Sequence, residues 1–345
     1  MAETAGEPRL PGGPPRVAGL ILAAGRSSRM GRNKLLIEIG GRPLLCRVAD
    51  MLLASQATPV VMVIGHDAAA IRGAVSGLPV ILVDNRDYSD GMATSLKAGV
   101  GGLPNDADGV IVCLGDMPGI ERELVDRMIA AFDPADGRDI IVPCHGGRRG
   151  HPVLLGRRHF HELCALTGDR GARTVIASHP KQVVEIEAAD TTIFADIDTP
   201  DALAAFEAMI AERDLIAVFC ATRYVVLDGD VTAVAVIGRN STEVDGLLDS
   251  RRALTGVFIT AWNPRGRAQG AEQNSDAQAE LAAAIAATGH VCVPARHRAP
   301  DPSWDEESWF VPGFAERDAV DLARAWGQRA IVCVRYGEPA RLVMV

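Results

Sequence analysis

The sequence predicts an α/β fold, a doubly wound and mostly parallel sheet, with a second, smaller α+β domain after it. Two observations predict the first part: apolar runs of strand length alternate with helical patterns, and polar or glycine residues directly follow several of these runs. A third observation predicts the second domain. Beyond Leu215 the composition changes, and all four tryptophans of the chain lie there.

The composition is that of a globular protein with two domains. Of the 345 residues, 48% are hydrophobic and 23% are charged. The formal net charge of -9 argues against general nucleic-acid binding, and no apolar run approaches the ~20 residues of a membrane helix. The seven cysteines form no CxxC pair, and several lie inside apolar runs. A reduced, cytoplasmic protein is therefore expected.

The elements of the first domain follow from periodicity and capping residues. Strands are expected at residues 17–24, 60–65, 80–83, 110–114, 139–144 and 181–187. Helices are expected from Leu44 to Leu52, after Asp67, after Thr94 or Ser95 as cap, at 121–132, from 168–173 onward, and from Pro200 to about Arg213 with Thr199 as cap. Gly25, Asn85 and Asp116 all lie at predicted strand ends, so the fold is expected to gather them at one edge of the sheet, where such sheets bind their ligands. The segment HGGRRGHPVLLG, residues 145–156, is expected to form a hairpin that covers this edge.

Three domains or segments are predicted along the chain. Residues 1–16 are rich in proline and glycine and are expected to form a disordered tail, not a signal peptide. Residues 17–213 form the first domain and 215–345 the α+β domain, where Asp228-Gly229 indicates a hairpin. In the α+β domain two interpretations stay open for a set of polar and aromatic residues, which form either a site or packing contacts and caps: Trp262, Asn263, Glu306, Glu307 and Gln328.

A glycine-bounded, basic loop follows the first strand. In residues 25–31 backbone N–H groups can approach a phosphate closely. Four cations lie within nine residues, namely Arg26, Arg29, Arg32 and Lys34. In an acidic chain this local excess of positive charge indicates a polyanionic small ligand. The loop is neither a P-loop, because Arg32 follows the second glycine, nor a GxGxxG dinucleotide fingerprint.

Residues 22–34, LAAGRSSRMGRNK, fit the signature LAAGxSxRMGxxK position by position. On this signature, and on Gly115-Asp116-Met117-Pro118 as GDMP, the chain resembles the molybdenum cofactor cytidylyltransferase family over about residues 17–212. The resemblance implies a Rossmann-like nucleotidyltransferase that uses Mg²⁺ to transfer CMP from CTP to the terminal phosphate of the molybdopterin cofactor. Pyrophosphate is released, and a molybdoenzyme is the implied recipient. Ala24 follows the cytidylyl branch, where the guanylyl branch has glycine.

The resemblance assigns roles to individual residues. The catalytic residues are Lys34, Arg29 and Asp116. Residues at the nucleotide are Leu22, Ala23, Ala24, Gly25, Arg26, Ser27, Gly31, His66 and Asn85. Residues at the acceptor are Ser95, Gly150, His151 and Asp169. The metal ligands are Asp116 and Asp198. The Asp116 carboxylate also follows a buried strand, where it has no obvious role in the core. Asp198 could instead be a favourable negative charge at the N-terminus of a helix.

Other interpretations remain at this stage. Arg26 and Arg32 could equally be surface arginines without a function. His151 and His66 could equally have a structural role instead of binding a ligand. His159 and His161 are expected to face solvent. The same chemistry could use GTP or a different phosphorylated acceptor, such as a sugar phosphate. A non-catalytic protein that delivers molybdenum cofactor is a further alternative, although pure binding would not need two metal carboxylates. Since no transfer residue lies beyond Asp198, residues 215–345 are expected to be dispensable for the chemistry.

Overall fold

The computed structural model describes residues 14–26, 33–229 and 231–345. The chain forms two compact units that divide between Met209 and Ile210. The strands of the first unit are Val17–Ala23 (β1), Glu38–Ile39 (β2), Arg42–Pro43 (β3), Val60–Ile64 (β4), Ile81–Asp84 (β5), Gly109–Leu114 (β6), Ile140–His145 (β7), Arg148–Arg149 (β8), Val153–Gly156 (β9) and Val183–Glu187 (β10). Its helices are Leu44–Ala54 (α1), Ala68–Ala74 (α2), Met92–Gly101 (α3), Arg122–Ala131 (α4), Phe160–Ala165 (α5), Ala172–Ser178 (α6) and Pro200–Ala221 (α7), which continues into the second unit.

The main sheet of the first unit has the order β10-β7-β9-β6-β1-β4-β5, with β8 paired to β7. Strands β6, β1, β4 and β5 are parallel neighbours, β10 is parallel to β7, and β9 is antiparallel to both of its neighbours. Helices cover both faces. A Cβ atom at Gly19 would touch Leu52 of α1, whereas one at Gly99 of α3 would touch Leu20, the next residue of β1. The predicted doubly wound, mostly parallel sheet is confirmed.

The expected hairpin at residues 145–156 is wrong in its position. Strands β7 and β8 form a short antiparallel pair, but β9 enters the sheet between β6 and β7 and is buried along its whole length. Because Val153–Gly156 carries no polar side chain, burial on both faces is favourable for it.

Two expected helix caps are also wrong. Helix α3 begins at Met92 after Gly91, so Thr94 and Ser95 lie inside the helix. Asp67 precedes α2 in a left-handed conformation, and its side chain makes no capping hydrogen bond. The cap at Thr199 is confirmed, because Ala202 N donates to its Oγ1 at 3.2 Å.

The second unit is built on a seven-stranded antiparallel sheet. Its strands are Arg223–Asp228 (β11), Val231–Ala235 (β12), Thr255–Ile259 (β13), Val293–Arg298 (β14), Glu306–Pro312 (β15), Ala330–Arg335 (β16) and Arg341–Met344 (β17). Its own helices are Thr242–Ser250 (α8), Ala271–Ala287 (α9) and Glu316–Ala325 (α10). The order is β12-β11-β14-β15-β13-β16-β17. The α+β class and the hairpin at Asp228-Gly229 are confirmed, and Asp230 lies outside the described residues.

The sheet of the second unit has a core on each face. One contains Leu247 and Leu248 of α8 with Phe258 of β13. The other contains Leu281 of α9 and Ala319 of α10. Within the described ranges, no helix is both long and apolar enough to cross a membrane.

Candidate active site

The ends of β1 and β6 are joined by a backbone hydrogen bond. Gly115 N donates to Leu22 O at 3.0 Å. A Cβ atom at Gly115 would lie 3.0 Å from the same carbonyl oxygen and 3.1 Å from Leu45 Cδ1, so a side chain there would strain this approach. This hydrogen bond between the two strand ends holds Asp116, the residue after Gly115, beside the loop that begins at Gly25.

Lys34, Asp116 and Asp198 come together from distant parts of the chain. The Lys34 Nζ atom donates to Asp116 Oδ2 at 2.6 Å and also to Asp198 Oδ1. Ile197 N donates to Asp116 O at 3.0 Å, which carries Asp198 to the end of β6. Asn33 fixes the turn before Lys34, because its Oδ1 accepts from Leu35 N at 3.1 Å. The three side chains predicted to handle phosphate and metal therefore form one cluster.

The cluster is partly buried and carries more negative than positive charge. Burial lowers the pKa of Lys34, but attraction and hydrogen bonds from Asp116 and Asp198 outweigh it and raise that pKa above its usual value. Lys34 is therefore charged at neutral pH. The second oxygen of Asp116, Oδ1, is buried and has no hydrogen-bond partner among the described residues. A buried carboxylate oxygen without a partner is costly, and hard cations such as Mg²⁺ take such ligands, so the residues fit a divalent metal.

A cavity of about 370 Å³ adjoins this cluster. It is lined by Leu22, Ala24, Gly25, Arg26, Tyr88, Ser89, Gly91, Met92, Ser95, Leu114, Asp116 and Asp169. Seven of these were predicted at the nucleotide, the acceptor or the metal. Gly91 and Met92 belong to a block, residues 91–95, that the family resemblance also implies at the cleft. Tyr88, Ser89 and Leu114 were missed, and the Tyr88 ring centroid lies 5.5 Å from the Arg26 guanidinium carbon. An aromatic ring beside a cation and a glycine loop suits a base and its phosphates.

Gly91 explains how Asp169 reaches the cavity. Its φ is 108°, and a Cβ atom there would lie 2.3 Å from the carbonyl carbon of Gly168. Ala93 N donates to Gly168 O at 3.0 Å. Only glycine permits this contact, which places the exposed Asp169 carboxylate next to the start of α3.

Asn85 is buried and holds the loop before α3. Its Nδ2 donates to Thr94 Oγ1 at 2.9 Å and to Ser95 Oγ at 3.0 Å, and its Oδ1 accepts from Asp87 N at 3.0 Å. Asn85 does not line the cavity, and its contacts position Ser95, which does. His66 is also outside the lining, with its ring centroid 5.9 Å from that of Tyr88. Ala23 is buried in β1.

Gly150 and His151 are held by the segment before Asp198. His151 N donates to Ile193 O at 2.9 Å, and a Cβ atom at Gly150 would lie 2.5 Å from the same oxygen. Burial and then the charge of Arg173 lower the pKa of His151, against the opposite effect of Asp116 and Asp196. A neutral imidazole therefore lies within electrostatic range of Asp116, and its Nδ1 is buried without a partner among the described residues.

Some predictions fall elsewhere. Ser27, Arg29, Gly31 and Arg32 lie outside the described residues. The expectation that His159 faces solvent is wrong, because it is 1% exposed. Its Nδ1 lies 3.1 Å from Glu162 Oε1, and His179 Nε2 lies 2.9 Å from both oxygens of Glu162. The ligand atoms of these three side chains lie close enough together to hold a metal ion, and the second ring nitrogen of His159, Nε2, is buried without a partner among the described residues.

Comparison with known proteins gives two family matches. The MobA-like NTP transferase domain matches residues 19–183. A family described as a protein of unknown function, DUF3293, matches residues 259–331. The two matches fall in different units of the structure.

Three relatives cover the first unit. The chain is 30% identical over 197 residues to nicotine blue oxidoreductase of Paenarthrobacter nicotinovorans, with 54% of this chain and 93% of that protein covered. It is 32% identical over 196 residues to molybdenum cofactor guanylyltransferase of Vibrio cholerae (55% and 91% covered). It is 27% identical over 183 residues to molybdenum cofactor cytidylyltransferase of Escherichia coli (53% and 91% covered).

A solved structure also matches a little over half of this chain. A homolog of Mycobacterium tuberculosis Rv0371c, from Mycobacterium sp. strain JC1, is 30% identical and matches with a TM-score of 0.51, covering 57% of this chain and 98% of that chain. The names of the relatives cover one oxidoreductase and two transferases that use different nucleotides. These names therefore agree on the module and differ on the reaction.

Proposed function

The chain belongs to the MobA-like NTP transferase family, and we propose that it transfers CMP from CTP to the terminal phosphate of the molybdopterin cofactor. The observation that carries this proposal is the contact of Lys34 with both Asp116 and Asp198 beside a cavity lined by Gly25. Phosphoryl chemistry asks mainly for positioning and for neutralisation of charge, which a lysine and two carboxylate metal ligands supply.

The reaction needs no general base. An oxygen of the acceptor phosphate is already an anion, and it attacks the α-phosphorus of CTP. A new phosphorus–oxygen bond forms, the bond to the β-phosphate oxygen breaks, and its electron pair leaves with pyrophosphate. Lys34 is charged at neutral pH and neutralises an oxygen of the α-phosphate. In this proposal Arg29 serves the leaving phosphates.

Asp116 and Asp198 would hold the divalent metal, which we propose is Mg²⁺. When bound, the metal supplies positive charge to the polyphosphate. Support comes from the partnerless Oδ1 atom of Asp116 and from the shared contact of both carboxylates with one ammonium group. Ser95, Gly150, His151 and Asp169 remain the proposed acceptor residues. Residues 17–213 are proposed to carry the transfer, and 215–345 a different function.

The first test compares substrates. The purified full-length protein is incubated with Mg²⁺, the molybdopterin cofactor and each of CTP, GTP, ATP and UTP, and pyrophosphate is measured. CTP is expected to be preferred by about tenfold or more. A preference for GTP contradicts cytidylyl transfer, and faster turnover with a sugar phosphate contradicts the acceptor. Cofactor binding without pyrophosphate release would favour the delivery protein.

Ala24 is the proposed determinant of base choice. It is buried, and it lines the cavity where a glycine would leave room for a larger base. Ala24→Gly is expected to shift the ratio of kcat/KM for CTP over GTP by about tenfold toward GTP, the usual worth of one methyl group in a pocket. Ala23→Gly, at the preceding residue, which ends β1 and lies outside the cavity lining, is the matched control. If both variants leave the ratio unchanged, base choice lies in other residues.

A further inference from the structure

The second unit contains a cavity of about 480 Å³ that plays no part in the proposed transfer. Three of the residues left open in the sequence analysis line it, namely Asn263, Glu306 and Gln328. The other two do not line it: the Trp262 carbonyl accepts a hydrogen bond from Gln328 Nε2 at 2.8 Å, and Glu307 pairs with Arg296. A volume of this size holds a small organic molecule.

Glu306 is a carboxylate that the surrounding protein does not neutralise. Its Oε1 accepts from Asn263 Nδ2 at 2.9 Å, and no cation pairs with it among the described residues. Burial raises the pKa of Glu306 to about 7, against the opposing hydrogen bond from Asn263. Holding a carboxyl group in such a place costs stability unless a partner arrives. A ligand with N–H donors would be that partner.

Asn263 is rigidly placed for this contact. Its φ is 46°, in the left-handed region. Its N donates to Asn274 Oδ1 at 3.0 Å, and its own Oδ1 accepts from Asn274 Nδ2 at 3.1 Å. The amide that orients Glu306 is thus fixed before any ligand binds, which is typical of a binding site.

His297 adds a second polar group to the same wall. It pairs with Glu306 across β14 and β15, so both side chains lie on one face of the sheet. Its Nε2 is buried without a partner among the described residues, and burial lowers its pKa to about 3, so the ring is neutral. The cavity wall therefore carries a carboxylate without a cation and, beside it, a ring nitrogen without a hydrogen-bond partner among the described residues, and a ligand could supply both.

The rest of the lining is aromatic and basic. Phe219, Tyr224 and Trp304 line the cavity, and Trp304 is 40% exposed. Arg265 and Arg329 also line it and are exposed, and neither forms an ion pair with another described residue. Aromatic rings suit a flat ligand, and guanidinium groups suit an anion such as phosphate.

We propose that this cavity is a second binding site, for a planar nitrogen heterocycle that carries adjacent N–H donors and a phosphate group. Guanine nucleotides and pterin phosphates share this chemistry, since both present a ring N–H and an amino group side by side. The two donors face the Glu306 carboxylate, the ring lies among the aromatic side chains, and the phosphate meets Arg265 and Arg329. Adenine and cytosine present an acceptor at the corresponding edge and are rejected. The site does not rest on the proposed transfer reaction.

The test is calorimetric titration of the full-length protein. It uses Lys34→Met as background and no divalent metal, so that the site of the first unit contributes little. GMP and neopterin monophosphate are compared with AMP and CMP. GMP or the pterin phosphate is expected to bind at least about tenfold more tightly than AMP and CMP, and whichever binds better identifies the source. Equal binding of all four ligands, or of none, overturns the proposal.

Two variants locate the binding. Glu306→Gln keeps the size of the side chain but puts a donor where an acceptor is needed, and the affinity for the better ligand is expected to fall about tenfold. Arg329→Ala is expected to weaken binding of GMP but not of guanosine, which lacks the phosphate. Arg317→Ala, an exposed arginine of the same unit outside the cavity, is the control. Unchanged affinity in Glu306→Gln, with an unchanged unfolding temperature, overturns the proposal.

Discussion

Replacing Asp116 with alanine is expected to lower kcat by about a thousandfold, or about 4 kcal/mol of transition-state stabilisation. Asp116 contacts Lys34 through Oδ2, and its Oδ1, which is buried without a partner among the described residues, is the atom proposed to bind the metal. The fold should survive, because Lys34 keeps its contact with Asp198 and the join between Gly115 and Leu22 uses backbone atoms.

The measurement is steady-state pyrophosphate release together with the unfolding temperature. Asp116→Asn separates charge from volume and is expected to be nearly as inactive as Asp116→Ala. Asp201→Asn is the matched control, since Asp201 is exposed and lies three residues beyond Asp198. Turnover that survives in Asp116→Asn would mean that the metal, if one binds, is held elsewhere.

The core of the first unit could be predicted because its central strands are covered on both faces. Strands β1, β4 and β6 are continuous apolar runs, which is what such burial demands. Parallel neighbours end at the same edge, so the position of Asp116 near Gly25 followed from the strand order. The resemblance to the family then added Lys34, through the signature of residues 22–34, and Asp198, through a separate match at residues 196–200. Strand order alone does not bring these two residues together.

Contacts made by loops could not be predicted. Tyr88 and the approach of Gly91 to Gly168 depend on how two surface segments pack, and no periodic pattern encodes that. Strand β9 is a short apolar run, and such a run fits the centre of a sheet as well as a covering hairpin. Helix α7 was expected to end near Arg213, where charged residues cluster. It continues to Ala221 because those charges lie on exposed turns.

In the second unit, too, a local signal was predictable from the sequence and long-range contacts were not. Its hairpin at Asp228-Gly229 is a local signal and was predicted. The cavity around Glu306 gathers residues from α7, the loop after β13, and strands β14 and β15. These residues are far apart in the sequence, so no local pattern distinguishes a site from packing contacts at Asn263, Glu306 and Gln328.

Lys34→Met is expected to lower kcat about a hundredfold or more while tightening the binding of divalent metal. The loss of turnover follows from removing the cation proposed to neutralise the α-phosphate. The gain in metal affinity follows because the ammonium group of Lys34 contacts Asp116 and Asp198, the same carboxylates that would hold the metal. Without it, the two negative charges repel each other unless a metal binds.

The two effects are measured separately, turnover by pyrophosphate release and metal affinity from the rise in unfolding temperature with increasing Mg²⁺ concentration. Lys97→Met removes an exposed lysine on α3 of the same unit and should change neither. Unchanged kinetics would exclude Lys34 from the reaction. If Lys34 competes with the metal, removing Lys34 can only strengthen metal binding. A fall in metal affinity would therefore mean that Lys34 instead holds the two carboxylates in place for the metal.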